Sequence, residues 1–360
     1  MSPLDLGDCA RVAVVDRDNG ALLRGIEDIA VDAAAGLAYL SAYDRWGTDA
    51  AADARQETLP QGGIYVLRAE DLDTARGRLT VEDATGDFKA LNDLHPHGVD
   101  FLAGENGHGT VAVINRRYAR ALPGDGYAFE TTLEIFTTDG DALSHRLTVR
   151  HPLLCRANEV VLLSDDVALI SRDHSACSSG GVLLEDARGE LGIYRGEVVR
   201  LTLSRTGDPP QAEIVASRVG FANGLVVDRT LRRLYVSATR EKAIHIYDMS
   251  GAPAETELRL RQRVAVPGGP DNLALLPSGE IVVPLHPNLI VTALYLYRWT
   301  DRAPSRIVRW NPKDGAPSAR WDDSGRLLAA ATVATPIVDK LLIGSVADGG
   351  LAVCTIAPGD

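Results

Sequence analysis

The chain has 360 residues, 45% hydrophobic and 24% charged, a balance that supports an ordinary globular core. Its formal net charge of -12 argues against non-specific nucleic-acid binding, which needs a basic surface. The longest apolar runs, such as 327–334, fall far short of the roughly 20 residues that span a bilayer, so no membrane anchor is expected.

Residues 1–10 carry Asp5 and Asp8 and no basic segment followed by an apolar one. No signal peptide is read there, and a cytoplasmic location is expected. A periplasmic or secreted location is the alternative if the natural chain starts earlier. The four cysteines are Cys9, Cys155, Cys177 and Cys354, with no C-x-x-C pair, which argues against a zinc or redox site. Cys9 and Cys354 lie near opposite ends of the chain, which would suit a staple closing a circular fold. Four reduced thiols, the default in the cytosol, are the other reading.

Short alternating apolar runs followed by turn residues dominate the chain, which predicts strands. In chain order they fall at 36–41, 63–67, 110–115, 132–136, 167–171, 197–203, 234–238, 243–247, 280–284, 306–310, 340–345 and 351–356. That is too many for one open sheet. Residues 176–189 read as a longer loop or a short helix, either a lid over the site or a plain surface excursion.

A repeat runs through this pattern, in which a polar residue opens an apolar strand, a turn follows, and a second apolar strand begins. Glu27-Asp28-Ile29-Ala30-Val31-Asp32 leads to Gly36-Leu37-Ala38-Tyr39-Leu40. His97-Gly98-Val99-Asp100-Phe101 leads to Thr110-Val111-Ala112-Val113, and Asn158-Glu159-Val160-Val161 to Val167-Ala168-Leu169-Ile170. Asn223-Gly224-Leu225-Val226 leads to Arg233-Leu234-Tyr235-Val236, and Asp271-Asn272-Leu273-Ala274 to Gly279-Glu280-Ile281-Val282. A degenerate sixth copy spans 332–336 and Leu341-Leu342-Ile343-Gly344. Units of this length suggest propeller blades. The expected fold is all-β, one six-bladed β-propeller domain over 1–360 with calcium on its axis.

In a propeller the residues opening the innermost strands converge at one end of the axis. Glu27, Asp28, His97, Asn158, Glu159, Asn223, Asp271 and Asn272 stand at those positions. Carboxylates and amide carbonyls are hard oxygen donors, and Ca²⁺ typically takes 6–8 of them. Without thiolates and with little imidazole, zinc and copper fit less well. Taken singly, Asn223-Gly224 is a turn signal and Glu27-Asp28 a solvated strand end. Only the shared register sets them apart.

Gly25-Ile26-Glu27-Asp28, Pro96-His97-Gly98-Val99, Phe221-Ala222-Asn223-Gly224, Asp271-Asn272, His286-Pro287-Asn288 and Lys340-Leu341-Leu342-Ile343-Gly344-Ser345 together resemble the paraoxonase/arylesterase family. The likeness runs from about Cys9 to Cys354. It implies two calcium ions. The catalytic one would be held by Glu27, Asn158, Asn223, Asp271 and Asn272. The structural one would be held by Asp28, Glu159 and the Val99 backbone carbonyl. It also implies a Cys9–Cys354 disulfide. The family usually has Asp where Glu159 stands. It pairs the histidine at His97 with a second one, and here Val113-Ile114-Asn115-Arg116 puts Arg116 in that place. Arginine stays charged and cannot shuttle a proton.

The activity this implies is calcium-dependent hydrolysis of a small ester. A lactone is the expected substrate, with arylesterase and phosphotriesterase side activity. Calcium would polarise the carbonyl, and His97 or a metal-bound water would supply the nucleophile. Asp173, His174, Arg116 and Phe221 are expected to contact substrate or orient the site. No G-x-S-x-G elbow, P-loop or H-E-x-x-H is present, so serine-hydrolase and zinc-protease chemistry are not expected. The alternatives are a gluconolactonase-like propeller with one metal, and a non-catalytic binding propeller in which calcium is structural.

Overall fold

Apolar alternation in short segments, cut by turns, builds stacks of antiparallel hairpins. The computed structural model describes residues 9–104, 108–120, 127–203, 209–313 and 317–356. Three sheets have four strands in sequence order. They run Pro96–Ala103, His108–Arg120, Tyr127–Asp139 and Ala142–Val149; then Ala157–Ser164, Val167–Arg172, Gly196–Thr202 and Gln211–Val219; then Ala222–Asp228, Arg233–Ala238, Ala243–Ser250 and Glu257–Ala265. A fourth sheet has five strands. Its first layer is split into Gly269–Pro270 and Ala274–Leu275, both paired with Ile281–His286, followed by Ser305–Trp310 and Ser318–Asp323.

The remaining strands form one eight-stranded sheet. Its order is Ile26–Asp32, Leu37–Ala42, Gly63–Arg68, Arg78–Asp83, Cys9–Asp16, Leu351–Thr355, Lys340–Ser345 and Ala331–Ile337. Six separate four-stranded blades were expected. Four sheets have blade form and the other strands merge. The cause is the strand Cys9–Asp16, which changes partner halfway. Cys9 to Val12 pair antiparallel with Leu351–Thr355. Ala13 to Asp16 then pair parallel with Arg78–Asp83. The architecture is an all-β propeller.

The first strands of the sheets pack side by side around an axis. Ile26–Asp32 lies beside Pro96–Ala103, that beside Ala157–Ser164, and that beside Ala222–Asp228. Ala274–Leu275 and Ala331–Ile337 follow, and the last returns to Ile26–Asp32. The core is correspondingly divided into interlayers. One joins Tyr39 and Ile64 to Val111 and Phe136, and another joins Leu133 and Ile135 to Leu162 and Ile170. A third joins Leu169 and Val198 to Val236 and Leu234. Burying these side chains contributes roughly 1.5–3 kcal/mol each and fixes the sheets against one another.

Three helices follow second strands and so lie on one face of the propeller. Arg45–Asp53 is capped by Asp44, whose carboxylate accepts from Gly47 N at 3.0 Å. Ser179–Gly189 is capped by Ser178, so the segment read as a loop or short helix is a helix. Leu289–Leu296 is capped by Asn288, which accepts from Ile290 N and Val291 N. No helix among the described residues is long and apolar enough to cross a membrane.

Two disulfides are present, Cys9–Cys354 and Cys155–Cys177. The second has no counterpart in the sequence reading. Two such bonds belong to an oxidising, extracellular setting, which overturns the expected cytoplasmic location. Cys9–Cys354 crosses the sheet at the first register pair of the closing strand. Replacing both by serine is expected to lower the unfolding free energy by about 3 kcal/mol. Guanidinium denaturation of the double variant against the wild type checks this, and an unchanged midpoint would mean the strand pairing alone closes the ring.

Candidate active site

Every first strand is interrupted at the same place. The ladder between first and second strands skips register between Ile26 and Asp28, Pro96 and Val99, Ala157 and Val160, Ala222 and Leu225, and Ala331 and Val333. In the five-stranded sheet the strand breaks outright between Pro270 and Ala274. Bulges re-aim side chains that a regular strand would alternate. The residues released are Glu27, His97, Asn158 and Glu159, Asn223, Asp271 and Asn272, and Thr332.

Four of these sites are preceded by a left-handed residue two positions earlier. Gly25 has φ 61°, Arg156 62°, Phe221 62° and Ala330 49°. Only one is glycine, so three carry a conformational cost typical of functional sites. Glycine is required elsewhere, where neighbouring strands touch. A Cβ on Gly98 would lie 2.6 Å from Glu159 Oε1, and one on Gly224 would lie 2.6 Å from Asn272 Cα.

Second-strand serines brace this ring, and the sequence reading did not single them out. Ser41 donates to the His97 carbonyl and Ser237 to the Asp271 carbonyl, both at 2.5 Å. Ser171 Oγ accepts from Glu159 N at 3.0 Å, and Ser345 donates to the Ala329 carbonyl at 2.7 Å. Each is fully buried. The available signal was a serine closing an apolar strand in Leu40-Ser41, Ile170-Ser171, Val236-Ser237 and Gly344-Ser345.

All eight axial residues are buried. Glu27 Oε2, Asn158 Oδ1, Asn223 Oδ1, Asp271 Oδ1 and Asn272 Oδ1 have no hydrogen-bond partner. An unpaired buried polar atom is costly, and five from four sheets on one register share a common need. The opposite ends of four of these side chains, Glu27, Asn223, Asp271 and Asn272, are held. Asn272 Nδ2 donates to the Glu27 carbonyl at 3.1 Å and to Glu27 Oε1 at 3.2 Å. Asn223 Nδ2 donates to Thr239 Oγ1 at 3.3 Å, and His286 Nε2 lies 2.7 Å from Asp271 Oδ2. The free oxygens are therefore oriented. Hard oxygen donors of mixed charge suit a hard divalent ion. Among the described residues no three His, Cys, Asp or Glu side chains group as metal ligands, so the set depends on its amides.

Asp28 and Glu159 form a second acidic pair deeper in the strands. Asp28 Oδ2 accepts from Val99 N at 2.8 Å, and Glu159 Oε1 from Val160 N at 2.7 Å. Val99 thus meets Asp28 through its N–H. Burial pushes Glu27 up to about 7 against the pull of Arg116 and Asn272. Burial and the Glu27 charge push Asp28 up to about 7. Burial, then Asp28 and Glu27, lift Glu159 well above the carboxylate range, and burial raises Asp271. Carboxyls crowded in this way ionise together only with positive charge among them.

His97 Nδ1 lies 3.1 Å from Glu27 Oε2 but outside hydrogen-bond geometry, so both atoms remain unpartnered. Burial, then Arg116 and Arg45, hold its pKa well below the usual imidazole range, so it is a neutral base at neutral pH. The residues expected beside it form an adjoining group. Asp173 Oδ1 is 3.1 Å from Arg156 Nε and 2.7 Å from His174 Nδ1. His174 Nε2 is 2.6 Å from Asp186 Oδ1 on the helix Ser179–Gly189. Phe221 packs edge-on against His174 at 5.5 Å. Arg116 Nη2 donates to the Ala157 carbonyl at 3.3 Å and lies 3.7 Å from Asp173 Oδ2. Burial would raise Asp173, but His174, Arg156 and Arg116 outweigh it and hold Asp173 at about 2. Burial would lower His174, but Asp173 and Asp186 raise it above its usual value. Arg45, opening the helix Arg45–Asp53, and His286 also belong to the site and were not singled out as site residues from sequence.

Residues 11–354 match the model of the family described as Arylesterase. Serum paraoxonase/lactonase 3 of Rattus norvegicus is 26% identical over 71% of this chain and 67% of its own. The name of that relative places it in serum, in keeping with the two disulfides. A gluconolactonase from Xanthomonas campestris has the same fold, with TM-score 0.55 and 16% identity over 99% of this chain and 96% of its own. A calcium-binding protein, regucalcin from Agrobacterium tumefaciens, superposes with TM-score 0.53 and 11% identity over 96% and 95%. The chain therefore belongs to the arylesterase family and is a hydrolase of esters or lactones.

Proposed function

We propose that the protein is a calcium-dependent lactonase whose ion is held by Glu27, Asn158, Asn223, Asp271 and Asn272. The observation that carries this reading is the set of five buried, unpartnered oxygens on those residues. The calcium named for the regucalcin neighbour and the lactonase activity named for the serum relative support it. Asp28 and Glu159 are proposed to hold a second, structural ion, and their raised pKa values support that reading. The Val99 carbonyl is kept in that ligand set as the family resemblance implies, although the contact Val99 makes is through its N–H. The eight-stranded sheet is read as two blades joined edge to edge by Cys9–Asp16, which would make six around the axis.

Bound calcium supplies Lewis-acid polarisation of the ester carbonyl and stabilisation of the developing oxyanion. The chain's own residues do the remainder. His286 fixes Asp271 through Oδ2 and leaves Oδ1 without a partner, so that it could ligate the ion. Asn272 fixes Glu27 in the same way through Oε1. His97, neutral and with Nδ1 turned to Glu27, takes the proton of the attacking water at Nε2 and returns it to the leaving oxygen. Asp173 and His174 bind the helix Ser179–Gly189 against the site through Asp186 and so help exclude bulk water.

Chelation is expected to abolish lactone hydrolysis, and calcium add-back to restore it. Asp271→Ala should lose calcium in a direct metal assay and at least about 100-fold in kcat/KM. Full calcium content and activity in that variant would remove the ligand assignment.

His97→Gln should lower kcat by about 100-fold or more, the usual contribution of a general base. A change under tenfold, measured at saturating lactone, would take His97 out of the proton path.

The helix Ser179–Gly189 should be held less firmly as pH rises. The folded-state pKa of His174 is raised, so its contribution is fully present below the unfolded value of about 6.5 and is lost as pH rises through the folded value. An NMR titration should place the His174 pKa above about 6.5 and lower it on Asp186→Asn; a titration midpoint unaffected by that substitution would contradict this anchoring.

A further inference from the structure

Arg116 occupies an unusual position for a guanidinium. Its side chain is only 18% exposed. It makes one long hydrogen bond, to the Ala157 carbonyl at 3.3 Å. Its carboxylate neighbour, Asp173, stands at 3.7 Å, beyond hydrogen-bond reach. Asp173 is also already engaged by Arg156 and His174. Among the described residues, most of the five donors of Arg116 therefore have no partner.

A second arginine stands behind it. Arg45 opens the helix Arg45–Asp53 and its Nε lies 3.4 Å from the Tyr43 hydroxyl. Its charge is felt at Glu27, His97 and Arg116. On this side of the site Arg116, Arg156, His174 and Arg240 face Asp173 and Asp186, with Arg240 Nη2 2.7 Å from Asp186, and Arg45 has Asp49 as its carboxylate neighbour, so the cations outnumber the carboxylates. The carboxyls below, Glu27 and Asp271, are the proposed metal ligands and are not free to balance these cations. An acidic chain thus concentrates positive charge beside His97.

We propose that Arg116, backed by Arg45, receives a negatively charged oxyanion group, carboxylate or phosphate, carried by the lactone or ester substrate. This rests on the reading of the axial residues as the hydrolytic centre. Arg116 N donates to the His95 carbonyl, and its strand pairs with the one that carries His97. The Arg116 charge acts on His97 and Glu27, so the guanidinium lies close enough to the proposed hydrolytic centre to meet a substituent of the same substrate. A planar fork with free donors matches either oxyanion.

The test compares γ-butyrolactone with its carboxylated and its phosphorylated hydroxymethyl derivatives on the calcium-loaded protein. The wild type should favour at least one anionic lactone by tenfold or more in kcat/KM. Arg116→Gln should shrink that preference 10- to 100-fold, mainly through KM, the range for a charged hydrogen bond. Arg116→Lys should keep part of it, and Arg45→Gln should reduce it less than Arg116→Gln. A preference near one in the wild type, or an equal preference in Arg116→Gln, overturns the inference.

Calorimetry separates this from failure of the hydrolase reading. Cyclopentanone carboxylate and inorganic phosphate are titrated into wild type and Arg116→Gln. If no lactone turns over, binding of either anion that disappears with Arg116 sustains the anion site. Absence of binding to the wild type overturns it.

Discussion

Buried polar side chains from four sheets meet at one end of the first strands with oxygens that no protein group satisfies, and most of the structure answers to that constraint. Bulges in the first strands release Glu27, Asn158 and Asn223, and the strand break after Pro270 releases Asp271 and Asn272. Ser41, Ser171, Ser237 and Ser345 hold the bulges by hydrogen bonds to backbone. Removing water raises the cost of each unpaired oxygen and also strengthens whatever cation pairs with it. The same desolvation keeps His97 neutral. The proposed ligand set and the proposed base would thus be two results of one packing arrangement.

Register made much of this legible from sequence. The polar residues recur at one position in the repeat, and the structure brings Glu27, His97, Asn158, Asn223, Asp271 and Asn272 into buried proximity at one end of the first strands. Strands buried at every residue, such as Leu37–Ala42 and Val167–Arg172, were readable because their apolar content is dense. Outer strands were not. Gln211–Val219 and Glu257–Ala265 are mostly exposed, so nothing forces alternation in their sequence. The merged sheet was also unreadable, because a strand that changes partner at Val12 and Ala13 carries no local mark of doing so.

The left-handed residues show a different limit. Gly25 advertises its conformation by composition, whereas Arg156, Phe221 and Ala330 adopt it because the surrounding sheets dictate it. Tertiary packing there overrides local preference. Cys155–Cys177 is a similar case. Its partners are 22 residues apart, and only the fold brings the segment before Ala157–Ser164 to the segment after Val167–Arg172. The pairing sits beside Arg172, which donates to the Cys155 carbonyl and the Ser175 carbonyl. The bond therefore steadies the backbone that carries Asp173 and His174.

The closing strand has a consequence for how the protein comes into being. Cys9 to Val12 find their partners only when residues 351–354 exist, the longest sequence separation among the described strand pairs. During synthesis the edge of Arg78–Asp83 can be covered by Ala13 to Asp16 early, but the edge of Lys340–Ser345 waits for the final strand. Until then a nascent chain presents an unpaired sheet edge, which is a template for association with other chains. The yield of folded chain should therefore be decided at the seam, far from the buried polar residues on the axis.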